Sequence, residues 1–385
     1  MDATVLKKRF EQLYGSGDSS VFFAPGRVNL IGEHTDYNGG FVLPCALSFG
    51  TTLIIKNNAL GRIRLATANF EFKADLALNE VNAKIGSEWV NYPLGVIVQF
   101  MKKGYQMRGF DMLFSGDIPN GAGLSSSASI EMVTAVALDE MLQTHLNRIE
   151  LIKIGRAAEN EFVGMNCGIM DQFAVGMGKK NSALFLNCRT LDYEIVEMDI
   201  QGYSILIANT NKRRELADSK YNERVSECSQ ALADLRKIRP MIDLSDIDLG
   251  EFMTVQHHIK NDIIRRRARH VITENERVKN AVHALRNGDL QRFGQLMNQS
   301  HKSLKEDYEV TGFELDTIVN LAQSLEGVIG ARMTGAGFGG CSVNIVKNET
   351  VDHFISFVGE NYKKQTGLSA DFYIASLGNG AGRIS

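Results

Sequence analysis

Glycines and hydroxyls crowd into one short run, Pro119-Asn-Gly-Ala-Gly-Leu-Ser-Ser-Ser-Ala-Ser129, just ahead of apolar residues at helical spacing, Ile130, Val133, Ala137, Leu138 and Met141. Small residues let main-chain N–H groups close on an anion. The following helix aims the positive end of its dipole at the same point, so the run is suited to holding phosphate. A helix cap with a tight turn is the plainer reading, but a cap needs only one serine. The run lacks the Gly-Lys-Ser/Thr of a Walker A loop, and neither His-Arg-Asp nor Asp-Phe-Gly occurs in the chain.

A second concentration of polar groups lies in Ala24-Pro-Gly-Arg-Val-Asn-Leu-Ile-Gly-Glu-His-Thr-Asp-Tyr-Asn-Gly-Gly40. Glu33, His34 and Asp36 can grip adjacent hydroxyls, each carboxylate accepting several hydrogen bonds, which suits a polyol. A lone histidine among oxygens lacks zinc-ligand spacing, and a solvated polar loop is the alternative. A third cluster, Thr334-Gly-Ala-Gly-Phe-Gly-Gly340, has a nominal Gly-x-Gly-x-x-Gly. A dinucleotide fingerprint must open a helix, whereas this run enters the strand pattern Cys341–Val346. It reads as a glycine loop between strands that approaches a ligand or another loop closely, or as a plain turn.

The elements that position these runs alternate early and become helical later. Strand character marks Val21–Ala24, Gly50–Lys56, Arg62–Ala66 and Gly109–Ser115. Helical periodicity marks Met1–Tyr14, Trp89–Lys102, Ser126–Leu142 and Arg148–Val163. Strand-like Ser182–Asn187, Glu194–Met198 and Tyr203–Ala208 lead into a mostly helical stretch from Glu215 to Leu325. Val328–Met333, Cys341–Val346 and Asp371–Ala375 return to strand, with a helix over Val351–Lys364. The expected fold is α+β in two domains, 1–190 and 191–385.

At 385 residues the chain exceeds one ordinary core. With 42 basic and 45 acidic residues it has no general pull toward nucleic acid or anionic membrane. Five cysteines without Cys-x-x-Cys spacing suggest neither a disulfide framework nor zinc. No stretch has the length of a membrane span or the apolar core of a signal peptide. A soluble cytoplasmic protein is expected, with no nucleic-acid or membrane partner. The basic run Arg265, Arg266, Arg267 and Arg269 reads as a solvated helix face, and Lys212-Arg213-Arg214 as a possible attraction for a polyanion.

Three motifs carry a resemblance. Gly26-Arg-Val-Asn-Leu-Ile-Gly-Glu-His-Thr-Asp-Tyr-Asn38 is similar to the signature of the galactokinase family. Gly121-Ala-Gly-Leu-Ser-Ser-Ser-Ala128 and Gly335-Ala-Gly-Phe-Gly-Gly340 are similar to the second and third motifs of the wider superfamily of galactokinases, homoserine, mevalonate and phosphomevalonate kinases (GHMP). They fall in the expected order and span nearly the whole chain. The resemblance implies a two-domain GHMP kinase fold with its site in the cleft between domains, and ATP-dependent phosphorylation of the anomeric hydroxyl of galactose.

By resemblance, Asp171 is the carboxylate beside the reacting hydroxyl, as a base or an aligning group, with Arg27 next to it. Galactose falls to Glu33, His34, Asp36, Gly168 and Tyr221. ATP falls to Gly121, Gly123, Leu124, Ser125, Ser126, Ser127 and Ala128, to Gly335 and Gly337, and its adenine to Trp89 and Tyr92, for which core packing is the alternative. Mg²⁺, which takes few protein ligands, falls to Ser127 and Glu159, with Glu161 as a neighbour easily confused with it. A monomer is expected. A kinase of N-acetylgalactosamine or arabinose would keep the nucleotide motifs and alter the sugar pocket. A non-catalytic galactose and ATP sensor would be expected to carry damage in the serine loop, which is unbroken here.

Overall fold

The computed structural model describes residues 3–119, 122–213 and 217–385. Helix α1 (Ala3–Tyr14) presses Leu6 and Phe10 onto one face of a six-stranded sheet. That sheet comprises β1 (Ser20–Asn29), β3 (Pro44–Asn58), β4 (Arg62–Thr67), β5 (Ala74–Ala77), β6 (Gly109–Gly116) and β13 (Gly382–Arg383), in the order β13-β1-β3-β6-β4-β5. All its neighbours are antiparallel except β4 and β6. Its other face is covered by α2 (Asn91–Lys102), α3 (Ser126–Leu142), α4 (Arg148–Ala157) and α5 (Met170–Met177), whose apolar residues form one core with Phe22, Leu53 and Phe110 of the strands. Burial of this kind contributes about 25 cal/mol per Å² and is what holds helices to sheet.

A three-stranded sheet joins β2 (Phe41–Val42), β7 (Ser182–Asn187) and β8 (Tyr193–Glu197). The later half is built on an antiparallel sheet ordered β10-β11-β9-β12, from β9 (Tyr203–Asn209), β10 (Val328–Thr334), β11 (Cys341–Lys347) and β12 (Asp371–Ala375). Around it pack α6 (Ala217–Arg236), α7 (Leu249–Val255), α8 (Asp262–Arg286), α9 (Leu290–Ser303), α10 (Phe313–Gln323) and α11 (Val351–Thr366). Among the described residues no helix is long and apolar enough to cross a membrane.

Three features depart from the sequence pattern. The helix expected over Arg148–Val163 is α only to Ala157 and widens to a π-turn over Ala158–Val163; a second π-turn, Leu304–Tyr308, follows α9. Strands β2, β5 and β13 were too short to leave a period. Residue 190 falls in the turn between β7 and β8, and β13 returns to pair with β1, so the later half lends strands β8 and β13 to sheets of the earlier half.

Candidate active site

Strand β1 is irregular where the serine loop crosses it. Its pairing with β3 shifts register between Pro25 and Arg27, and a Cβ on Gly26 would lie 2.9 Å from the Leu124 carbonyl. Such a bulge re-aims the side chain that follows. Arg27 turns into the loop, its backbone N–H donating to the Leu124 carbonyl at 3.1 Å and its Nη1 to the Gly123 carbonyl at 2.7 Å. Nε and Nη2 then form a bidentate pair with Asp171 at 2.8 and 2.7 Å. Arg27 is 5% exposed, so the arginine side of this charge-assisted pair is shielded from water, while the Asp171 side chain is 26% exposed.

Helix α3 starts without a side-chain cap. Ser125 stands at the cap position with φ 60°, and its hydroxyl donates to Asp171 and accepts from no helix amide. Among the described residues no cap side chain occupies the first-turn amides, at the end of the helix where an anion is favoured. Ala128 is buried in the core below them, and Gly121 lies outside the described residues.

Asp171, at the start of α5, receives three hydrogen bonds, two from Arg27 and one from Ser125. A carboxylate has about four acceptor sites, so it is fixed in orientation with one left for a ligand. Arg27, Asp171, Glu33, His34, Asp36 and Tyr221 all line one cavity of about 370 Å³, together with Gly123, Leu124 and Ser125. Gly168 lines it too, and a Cβ there would fall 1.8 Å from Asp36 Oδ2. Burial, followed by the charge of Asp171, pushes the Asp36 carboxyl up to about 7.

Glu33 is held from both halves of the chain. Its Oε2 accepts from Asn29 Nδ2 at 2.6 Å and Arg332 Nη2 at 2.9 Å, and its Oε1 accepts from the Gly335 N–H. Part of its capacity is thus committed to joining the signature segment to β10. The same bond ties the third glycine cluster to the signature segment. The Gly335 amide is engaged by Glu33, and Gly337 is a glycine because a Cβ would meet the Val310 carbonyl at 2.2 Å. The loop is a joint beside the polar cavity, which Gly335 and Ala336 line.

Glu159 sits in the first turn of the π-helix, 8% exposed, in a hydrogen bond with Ser127. Its Oε2 accepts from Gln172 Nε2 at 2.6 Å and from Cys167 Sγ at 3.4 Å. Burial, then the charge of Asp171, pushes its carboxyl up. Glu161 points elsewhere, to Lys102 and Gln99. Sequence reasoning missed what lies behind Glu159: Gln172 also donates to Glu131 Oε2 at 3.0 Å, and Glu131 is fully buried with its carboxyl pushed well up by burial. The available signal was a single carboxylate inside the apolar run of α3.

Trp89 and Tyr92 line a second cavity, about 160 Å³, with Phe70 and Asn69, which the sequence did not single out. Trp89 is packed on one side and open to this cavity on the other. Its indole donates to the Phe72 carbonyl at 3.2 Å and packs edge-on against Phe114, while one side faces the cavity. Ser126 and Ser127 line both cavities, so the serine loop stands between a polar chamber and an aromatic one. Lys212 pairs with Glu314 at 2.8 Å, and Arg214 lies outside the described residues.

Comparison with known proteins agrees with this geometry. Residues 8–57 match the galactokinase galactose-binding signature, 91–179 the GHMP kinases N terminal domain and 281–364 the GHMP kinases C terminal. The galactokinase of Fusobacterium nucleatum is 52% identical over 384 residues, covering 98% of this chain and 99% of that one. That of Bacillus subtilis is 50% identical over 380 residues, 98% and 97% of the two chains. The structure of Lactococcus lactis galactokinase complexed with galactose has a TM-score of 0.97 at 42% identity, covering 99% of each chain. Methanococcus jannaschii mevalonate kinase shares the fold, with a TM-score of 0.65 at 23% identity over 95% of this chain and all of that one. On identity of this level sustained from end to end, the chain belongs to the galactokinase family.

Proposed function

We propose that the protein transfers the γ-phosphoryl group of ATP to the anomeric hydroxyl of galactose, giving galactose 1-phosphate and ADP. The observation that carries this is the shared wall: Ser126 and Ser127 border both the acidic polar chamber and the aromatic one. A sugar in the first and an adenine in the second would place the phosphate chain across the amides at the start of α3. Residues 1–190 supply the serine loop, Arg27 and Asp171; residues 191–385 close the chamber with Tyr221, Gly335 and Ala336.

Phosphoryl transfer asks a protein mainly for alignment and charge stabilisation. Asp171, held by Arg27 and Ser125, accepts the hydrogen bond of the attacking hydroxyl and orients it, with the proton passing to the carboxylate or onward to phosphate as the new bond forms. Asp36, Glu33 and His34 fix the remaining hydroxyls, and the Tyr221 ring bounds the chamber beside them. Ser127 and Glu159 fit Mg²⁺: a hydroxyl and a buried carboxylate already in contact beside the phosphate site are the few oxygen ligands that ion takes. Bound there, Mg²⁺ would neutralise phosphate charge. Glu33 and His34 are placed for sugar, and the enzyme is taken as a cytoplasmic monomer.

The test is coupled ADP release over a panel of monosaccharides, galactose, N-acetylgalactosamine, arabinose and glucose among them. Turnover led by galactose is expected. Preference for another member, or sugar binding with no turnover at all, would replace this reading.

A further inference from the structure

The buried imidazole of His34 has one nitrogen in a chain of hydrogen bonds and the other in none. Nδ1 lies 2.9 Å from the Tyr37 hydroxyl, which lies 2.8 Å from the Tyr308 hydroxyl, which lies 3.1 Å from Cys228 Sγ. Nε2 is buried without a hydrogen-bond partner among the described residues, on a side chain that lines the polar cavity. A buried nitrogen left this way calls for an explanation.

The chain can run in two directions. In one, Cys228 S–H donates to Tyr308, Tyr308 to Tyr37 and Tyr37 to His34 Nδ1, leaving Nε2–H free. In the other every donor reverses, and Nε2 is a bare lone pair. The first direction is favoured because a neutral imidazole nitrogen is a far better acceptor than a phenol oxygen or a thiol, and this order uses it for the acidic phenol O–H. Burial keeps the whole chain uncharged, pushing His34 down to about 3 and both phenols well up.

We infer that Cys228, Tyr308 and Tyr37 lock His34 in its Nε2–H tautomer, making it a hydrogen-bond donor to the sugar in a chamber whose carboxyl groups, Glu33, Asp36 and Asp171, serve as acceptors. Tyr37 and Tyr308 are therefore positioning residues that act through His34. The ring cannot easily adopt another pose: its centroid lies 4.9 Å from Tyr308 and 5.6 Å from Tyr221, on a backbone at φ 62°. Tyr308 is fastened in turn. A π-turn frees carbonyls that an α-helix would pair, and here Arg224 Nε donates to the Tyr308 carbonyl at 2.7 Å, Arg267 Nη1 to Asp307 at 2.7 Å and Arg266 Nη1 to Glu306 at 2.7 Å.

The inference rests on the galactose reading only for the identity of the ligand, so the decisive measurement is made without sugar. Nitrogen chemical shifts and long-range proton couplings of the histidine rings in the sugar-free protein, with His34→Gln assigning the signal, report which nitrogen carries the proton. An Nε2–H ring is expected, and an Nδ1–H ring overturns the inference even if galactose is turned over. In Tyr37→Phe the ring should lose its single tautomer and the KM for galactose should rise about tenfold, the effect of one hydrogen bond, with kcat within about twofold and the KM for ATP unchanged. An unaltered tautomer in that variant also overturns it. An Nε2–H ring in a protein that leaves galactose untouched would refute the galactose reading and leave the lock standing.

Discussion

Gly168 and Asp36 share a space that admits only one side chain, since a Cβ on Gly168 would lie 1.8 Å from Asp36 Oδ2 and 2.4 Å from its Cγ. The backbone of Gly168 is not in the left-handed region, so the glycine is there for approach rather than for φ. Gly168→Ala must therefore displace the Asp36 carboxylate. The expected outcome is a loss of at least about tenfold in kcat/KM for galactose, as when one or two ligand hydrogen bonds are misaligned, with the melting temperature nearly unchanged. Steady-state kinetics beside a thermal melt decide it, and full activity would remove Asp36 from the sugar site.

Arg27 makes three side-chain bonds that a lysine cannot reproduce, two to Asp171 and one to the Gly123 carbonyl. A planar fork and a point charge are not equivalent at a bidentate site. Arg27→Lys should lower kcat about 100-fold, and Asp171→Asn about 1000-fold or more, in the range for losing an aligning or proton-accepting group. Both should still bind galactose. Calorimetric titration with the sugar, set against turnover, separates the two effects, and near-normal turnover in Asp171→Asn would exclude that carboxylate from the chemistry.

Asp36 supplies the pH dependence. Its carboxyl, pushed up to about 7 by burial and by Asp171, binds a proton in the folded protein across a range where the unfolded chain, at 3.8, has lost it. Stability from this group is complete below the unfolded value and is lost as pH rises through about 7. Ligand binding runs the other way if the ionised carboxylate grips the sugar. The kcat/KM for galactose should climb as pH passes about 7, and Asp36→Asn should give a low, flat profile. A wild-type profile that is flat across this range would show that the protonated acid serves equally well.

The sequence made the chemistry legible where it requires unusual residue clusters and hid it where ordinary residues do the work through packing. Arg27, Asp36, Ser125 and Asp171 converge on one cavity as their motifs implied, because glycines and serines near an anion leave few alternatives. The third glycine cluster was ambiguous because close approach to Val310 and to a ligand look the same in a sequence. Phe70, Glu131 and Tyr308 gave no motif, being an exposed aromatic, a buried acid and the end of a π-turn that helical periodicity cannot predict. The basic run is a solvated face only in part: Arg265, Arg266 and Arg269 are partly exposed, whereas Arg267 is 2% exposed.

Ser127 and Glu159 meet across the loop, so each should affect metal use rather than sugar binding. Glu159→Gln keeps the bond from Gln172 but removes the charge, and Ser127→Ala removes the hydroxyl. Both variants should need about tenfold more Mg²⁺ for half-maximal rate while the KM for galactose stays put. Binding of Mn²⁺ with ATP, followed by electron paramagnetic resonance, gives a readout independent of turnover. Unchanged metal dependence in both would move the ion elsewhere.

Arg267 ties three segments together: Nε to Glu227 on α6 at 2.8 Å, Nη1 to the Asp307 carbonyl at 2.7 Å, and Nη2 to Glu309 at 2.6 Å. Arg267→Met fills much of the volume but leaves the Asp307 carbonyl without this donor and Glu227 and Glu309 with only their bonds to Arg224 and Arg266, a loss of about 2 kcal/mol. The melting temperature should fall by about 2–3 °C. Because the π-turn carries Tyr308, the galactose KM should rise in the same variant, while Arg265→Met, which loses only an exposed pairing with Asp262, should leave both stability and KM unchanged. Equal behaviour of the two variants in melts and kinetics would mean that the arginines act as a general charge and not as a clamp on this turn.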